Sequence, residues 1–484
     1  MSLLNRVRQL PPGFVWGGAT AAYQVEGNVS ADGRGDCIWD VYLRENHGYS
    51  PEPACDFYHR FPEDIELAAK YGLNALRVSI SWSRIFSDGD PSSVPNAAGV
   101  AYYHRLFTCC REHGIEPYVA LHHFDSPQAN FERGDWLNRD NIDRFVRYAT
   151  FCFDEFSEVE NWFTINEPIT LAMDQYIYGG FPPNHHFDFS SCIQAQHNLS
   201  VAHARAVNAF KDAGHKGRIG VVHVIKPVYP ISDAVEDAHA AELFDALYNR
   251  MLLDATLSGA YSDKTTELIH EILDANDASF AIEPGDLDEL SRAASRNDMM
   301  GVNYYQNMYA KAYAGESISH HNGTGEKGTL VMRLKGVGAA VKNPDIPTTD
   351  WDWNIFPQGL TDVLLRIKRD YPGYPTLYVT ENGIGLKEEA PAAGEILDDA
   401  ARIDYIDAHV EALLAAREAG VDVQGYFVWS LQDQFSWTNG YNKRYGLFFV
   451  NFETQQRSVK RSALWFQELG ATIAPDDTKG DEGE

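Results

Sequence analysis

Eight short apolar runs, each followed by a longer amphipathic stretch, limit the folds open to this chain more than any other feature. They are "FVWGGATAA" (14–22), "ALRVSIS" (75–81), "EPYVALHH" (116–123), "NWFTINEP" (161–168), "RIGVVHV" (218–224), "MMGVNYY" (299–305), "TLYVTENG" (376–383) and "VQGYFVWSL" (423–431). Most are nearly continuous in β-branched or aromatic residues, as strands buried on both faces are. Between them the apolar spacing changes to three and four, as at Ile142, Phe145, Val146, Ala149 and Phe153, which share one helix face. Gly214 and Gly420 follow the last periodic residues of two such stretches and predict left-handed helix caps. The alternation predicts an α/β fold, a single parallel (β/α)8 TIM barrel with long βα loops. A doubly wound open sheet is the alternative, but no G-x-G-x-x-G follows the first run.

Such a barrel absorbs almost the whole length. A chain of 484 residues otherwise suggests two or three domains, yet no low-complexity linker divides this one. Residues 1–470 read as one catalytic barrel domain, and 471–484, ending "DDTKGDEGE", as a disordered acidic tail with nothing to bury. The longest interruption, roughly 310–355, follows the sixth run and reads as a loop on the barrel's active face. A net charge of −29 argues against nucleic-acid partners, whose phosphates need a basic surface. The six cysteines form no C-x-x-C pair and read as buried free thiols. "MSLLNRVRQLPPGF" lacks the apolar core of a signal or a membrane span, so a cytoplasmic location with unglycosylated Asn28 and Asn198 sequons is expected.

Polar residues collect at the C-terminal ends of the runs. Gln24 follows the first, Arg77 lies in the second, and His122 and His123 end the third. Asn166 and Glu167 end the fourth, Asn303 and Tyr305 the sixth, Glu381 and Asn382 the seventh, and Trp429 the eighth. In a barrel these ends converge on one mouth, where catalytic groups sit. Any one of them read alone is a strand-end polar group satisfied by a loop. Glu167 and Glu381 lie on opposite sides of the closed barrel, an arrangement suited to acid/base and nucleophilic chemistry on an acetal. Arg77 is a candidate ion-pair partner that keeps a nucleophilic carboxylate ionised. Successive strand residues point to opposite faces, so His122 and His123 do not share a metal ion, and no metal site is expected.

These motifs resemble those of the family 1 glycoside hydrolases. The resemblance runs from "FVWGGATAAYQVEG" through "LRVSISWSRI", "HHFDSP", "FTINEP", "NYY", "YVTENG" and "GYFVWSLQDQFSW" to "YGLFFVNFETQQR", nearly the whole chain up to about residue 470. It implies a retaining β-glycosidase without cofactor. Glu381 matches the family's nucleophile and Glu167 its acid/base, with the two carboxyls about 5 Å apart as retention requires. Gln24, His123, Asn166 and Trp429 match the residues that hold the nonreducing sugar. Tyr305 matches the tyrosine beside the nucleophile, and Asn303 a neighbouring polar contact.

Two positions depart from the β-glucosidase pattern and resemble the branch acting on 6-phosphorylated sugars. Ser436-Trp437 stands where those enzymes carry Glu-Trp, whose Glu binds the hydroxyls at carbons 4 and 6. His123-Phe124 stands where they carry His-Trp. A phosphate on O6 carries roughly −1.5 to −2 charges, which a carboxylate at 436 would repel. Ser436 removes that repulsion, and Lys443 and Tyr445 offer an ammonium and a phenol to the same oxygens. Read without the resemblance, "NGYNKRYG" is a solvated turn. Within that branch, members acting on 6-phosphogalactosides carry Trp after the Ser, as at Trp437. Those selective for 6-phosphoglucosides often carry a small residue there, so the resemblance implies galactose; an indole there would contact the O3–O4 region. The expectation is therefore a retaining 6-phospho-β-galactosidase whose partner is a small phosphorylated disaccharide, such as lactose 6-phosphate, or an aryl β-glycoside phosphate. The alternatives are a 6-phospho-β-glucosidase or dual enzyme, a glycosidase of unphosphorylated sugars, and a noncatalytic sugar-binding barrel, which the presence of both carboxylates disfavours. The leaving-group site is expected in the loop around Trp351 and Trp353.

Overall fold

The eight runs become the strands of a closed, all-parallel barrel in the computed structural model, which describes residues 10–46, 49–392 and 394–473. They are β1 (Val15–Ala19), β2 (Ala75–Ser79), β3 (Glu116–His122), β4 (Asn161–Asn166), β5 (Arg218–Val224), β6 (Met299–Asn303), β7 (Thr376–Asn382) and β8 (Val423–Trp429). Their bounds depart from the sequence reading chiefly at the C-terminal ends, where polar residues leave the ladder. Gly17 pairs with Ala75 on one side and Phe427 on the other, closing the ring so that the barrel has no free edge.

The lumen is filled, not hollow. Tyr118, Phe163, Met299, Tyr378 and Phe427 pack inside it. At the floor Arg218 donates from Nε to Asn161 Oδ1 at 3.0 Å and from Nη2 to the Tyr118 hydroxyl at 3.1 Å. Everything chemical must therefore happen at the other end. Outside, helices such as Arg139–Glu155, Phe189–Asp212 and Ala400–Glu418 lay apolar faces on the strands. Gly214 (φ +72°) and Gly420 (φ +81°) occupy the expected left-handed positions just past two of them. Asn198, in one sequon, is buried and donates to the Trp136 carbonyl at 2.8 Å.

The stretch expected as a plain loop, 310–355, carries structure of its own. Met308–Lys311, Ile318–His320, Val331–Leu334 and Gly338–Val341 join Val228–Pro230 in a five-stranded sheet above the barrel. Strands of three or four residues separated by Gly and polar residues are too short to show a period, and Val228–Pro230 comes from another loop. All six cysteines are buried free thiols. Among the described residues no helix is long and apolar enough to cross a membrane. The acidic tail expected from 471 lies outside the described residues from 474 onward.

Candidate active site

Strand geometry delivers the polar groups to the mouth in two ways. Ala75, Met299 and Phe427 face the lumen, so simple alternation also brings Arg77, Asn303 and Trp429 inside. Phe163 and Tyr378 face inward too, and the same alternation would turn Asn166 and Glu381 outward. Register shifts between Phe163 and Asn166, and between Val379 and Glu381, re-aim both residues into the mouth. Gly383 follows, where an added Cβ would lie 1.9 Å from the Trp429 carbonyl oxygen. Glu167 then takes a left-handed φ of +46° and caps the helix Pro168–Tyr176. For a residue with a Cβ that conformation costs on the order of 1–2 kcal/mol. The tandem histidines divide. His123 lines the mouth, while His122 Nε2 lies 3.1 Å from Ser126 Oγ and its ring packs edge-on against Trp136.

One continuous hydrogen-bonded chain links the two carboxylates. Arg77 contacts Glu381 Oε1 through Nη1 and Asn166 Oδ1 through Nη2. The Tyr305 hydroxyl donates to Glu381 Oε2 at 2.6 Å. Asn303 Nδ2 donates to Glu167 Oε1 at 2.6 Å and to Asn166 Oδ1 at 3.2 Å, while its Oδ1 accepts from Thr380 at 2.7 Å. Thr170 Oγ1 donates to Glu167 Oε2 at 2.7 Å. Burial, and then the charge of Glu381, push the Glu167 carboxyl up to about 7 against those donors. Glu381 sits directly on a guanidinium; Glu167 does not. Two carboxyl groups in such unlike surroundings can serve as nucleophile and proton donor in one reaction.

Gln24, His123, Asn166 and Trp429 line the same cavity, of about 190 Å³. Gln24 Nε2 donates to the Phe435 carbonyl at 2.6 Å. Its Oε1 and His123 Nδ1 are buried without a hydrogen-bond partner among the described residues. Such atoms are costly when dry, and ligand hydroxyls can satisfy them. Burial and the Arg77 charge hold the His123 imidazole well below its usual pKa, hence neutral. Trp429 stacks on His123 at 5.8 Å, and Trp437 on Tyr23 at 5.4 Å.

Ser436, Lys443 and Tyr445 also reach this cavity. Ser436 Oγ donates to Asn439 Oδ1 at 3.2 Å, and Asn439 Nδ2 to the Gly323 carbonyl at 2.6 Å, so the loop is tied to its neighbour. Lys443 is buried, yet among the described residues it has no carboxylate partner and no hydrogen bond. Its Nζ lies 3.6 Å from the Trp353 ring centre, 4.8 Å from Trp351 and 5.3 Å from Tyr445. Burial pushes its pKa well down. Trp351 and Trp353, expected in the leaving-group loop, thus wall the Lys443 side. Asp352 between them accepts from the backbone of Gly328, Thr329 and Leu330, which draws that segment over the mouth.

Sequence reasoning missed Thr170, Asp174, Lys226, His321 and Asn439. Thr170 and Asp174 stand three and seven positions after Glu167 on one helix, a spacing that marks a shared face and could have been read. Asn439, three residues after Ser436 in an Asn-Gly turn, could have been read too, whereas Lys226 and His321 arrive through tertiary folding and leave no local signal. A second cavity, of about 290 Å³, adjoins the first and shares Glu167, Thr170, Asp174, Tyr305, His321 and Trp353 with it. Among the described residues no cluster of three or more His, Cys, Asp or Glu is placed to hold a metal ion.

Residues 6–473 match the family model described as glycosyl hydrolase family 1. The chain is 56% identical over 465 residues to "6-phospho-beta-galactosidase 1" of Streptococcus pneumoniae, covering 96% of this chain and 98% of that protein. It is 52% identical over 474 residues to a 6-phospho-beta-galactosidase of Lacticaseibacillus casei, covering 97% and 100%. Among solved structures it resembles the family 1 β-glucosidase of Thermotoga maritima in complex with isofagomine lactam, with TM-score 0.85 and 34% identity over 96% of this chain and 99% of that one. A psychrophilic β-glucosidase of Micrococcus antarcticus superposes with TM-score 0.87 at 32% identity, covering 98% and 100%.

Proposed function

The chain belongs to glycosyl hydrolase family 1, a family of retaining glycosidases, and on that premise we propose that it is a 6-phospho-β-galactosidase. The observation that carries this reading is Lys443, a buried lysine that among the described residues has no counter-charge, in the cavity that also holds Ser436 and Tyr445. A bound phosphate would supply that charge and favour the ammonium form. Lined by an ammonium, a hydroxyl and a phenol, that end of the cavity suits a sugar phosphate. Relatives named 6-phospho-beta-galactosidase that align over almost the whole chain support the same substrate. Trp437, fixed against Tyr23 and Trp39, favours the galactose configuration at carbon 4.

The mechanism follows from the contacts. Glu381, held by Arg77 and Tyr305, attacks the anomeric carbon. The C–O bond to the leaving group breaks as Glu167, protonated up to about pH 7, gives its proton to that oxygen. A covalent glycosyl-enzyme results. Water then attacks the same carbon, Glu167 takes its proton, and Glu381 departs with configuration retained. Asn166, oriented by Arg77 and Asn303, is placed for the sugar's 2-hydroxyl, a contact that strengthens in the transition state. Gln24, His123 and Trp429 hold the remaining hydroxyls. We assign the catalytic unit to residues 1–470. Lactose 6-phosphate degradation in the cytoplasm is the corresponding role, since a phosphorylated disaccharide arises where an importer phosphorylates it on entry.

The test compares kcat/KM for nitrophenyl β-galactoside with and without the 6-phosphate. The phosphorylated substrate is expected to lead by on the order of 10³, the worth of two or three charge-assisted hydrogen bonds. In Ser436→Glu that lead is expected to shrink by about 100-fold, because the new carboxylate faces the phosphate. A wild-type preference for the neutral substrate overturns the reading.

A further inference from the structure

The second cavity holds four charged groups that the mechanism above does not use; Lys342 and Asp352 pair with each other, and Asp174 and Lys226 remain. Asp174 lies two turns beyond Glu167 on the helix Pro168–Tyr176 and faces both cavities. Lys226 enters from the segment after β5, its Nζ 5.0 Å from the Tyr248 ring centre. Among the described residues neither side chain forms a hydrogen bond, and neither is in ion-pair contact with the other or with any other charge. Burial pushes the Asp174 carboxyl up to about 7, with Lys226 opposing the rise. It pushes Lys226 down, with Asp174 and Glu167 opposing. The lining is mixed: Met173, Tyr178, Tyr248 and Met332 supply apolar surface, and Gln306 and Asn307 amides.

Position says what would meet them. Glu381 lines only the first cavity, so the sugar it attacks lies there, and Glu167 borders both. The group that leaves on the proton of Glu167 therefore departs toward the second cavity. Chemistry narrows the group further. A carboxylate accepts hydrogen bonds and an ammonium donates them, and a sugar hydroxyl does both. An aryl ring neither donates to the carboxylate nor accepts from the ammonium, and would cover two half-buried polar groups without pairing them.

We propose that Asp174 and Lys226 are specificity-determining residues on the leaving-group side, selecting a polyhydroxylated leaving group, such as a second hexose, over an aryl one. This rests on the glycosidase reading of the site and adds the residues that choose the group expelled.

The experiment measures kcat/KM for lactose 6-phosphate and for nitrophenyl β-galactoside 6-phosphate in wild type, Asp174→Asn and Lys226→Met. The ratio of disaccharide to aryl rates is expected to fall about 30-fold in each variant, the worth of one hydrogen bond to a charged group. An unchanged ratio, whether both rates fall together or neither does, overturns the proposal. Should a variant fail to fold, the wild type supplies a second measurement. With the aryl substrate as glycosyl donor, glucose is expected to intercept the glycosyl-enzyme at concentrations about ten times lower than 1-butanol does. Equal or better capture by butanol overturns the proposal. Repeating the ratio with lactose and nitrophenyl β-galactoside, both without phosphate, separates the two readings. A wild-type preference for these neutral substrates removes the phosphate reading, while the variant ratio still decides Asp174 and Lys226.

Discussion

Lys443 and Lys460 are both buried, within one stretch of chain, and could hardly be placed more differently. Lys460 Nζ contacts Glu388 at 2.5 Å and Asp433 at 2.7 Å, and Arg402 and Arg444 complete the same cluster. Lys443 faces aromatic rings and, among the described residues, no carboxylate. A buried cation with its counter-charge supplied by the fold is scaffold; one without it is, on the reading proposed above, the place for a substrate anion. The first supports the second. Asp433, which takes Lys460 through Oδ1, also accepts from Arg444 at 2.8 Å and from the Gly446 backbone at 2.9 Å, on either side of Tyr445.

This contrast can be broken by experiment. Lys460→Met leaves Asp433 and Glu388 short of a partner in the interior, and is expected to lower folding stability by about 3–5 kcal/mol in chemical denaturation. The folded fraction should keep its preference for phosphorylated over neutral substrate. Lys443→Met is expected to do the reverse. It should cut that preference about 100-fold in kcat/KM and leave folding stability unchanged or slightly raised, because it removes a buried amine that has no counter-charge among the described residues and whose charging burial opposes. Equal behaviour of the two variants in either assay would erase the distinction drawn here. The smallest effect concerns Glu167, where the contrast lies between donors and a neighbouring charge. The first step needs Glu167 protonated, so kcat/KM should fall as pH rises through about 7. Asn303 favours the ionised form through its 2.6 Å hydrogen bond. Asn303→Ala should therefore raise the Glu167 pKa and move the alkaline limb upward, by roughly half a unit.

The barrel was legible because its strands are long enough to show their composition and its helices their period. The sheet over 308–341 was not, since Ile318–His320 and its neighbours are too short to carry a pattern and pair with a segment far away in sequence. At the mouth, Arg77, Asn303 and Trp429 follow from alternation alone. Glu381 and Asn166 break that alternation through bulges, so only their motifs gave them away. The grouping of Ser436, Lys443 and Tyr445 was read from two departures from the β-glucosidase motifs, at Ser436 and at Phe124. Lys226 and His321 could not be, because nothing near them in the chain announces the cavity they enter.

Asp433 has a further consequence. By gripping the chain at Arg444 and Gly446 from its own place ahead of Ser436, one carboxylate staples both ends of the hairpin-like excursion between them. What lies inside the staple can be exchanged like a cassette while Glu167, just past β4, and Glu381, on β7, stay where they are. On the reading proposed above, evolution on such a frame is free to retune what is recognised at carbon 6 without rebuilding the tool that cuts at carbon 1.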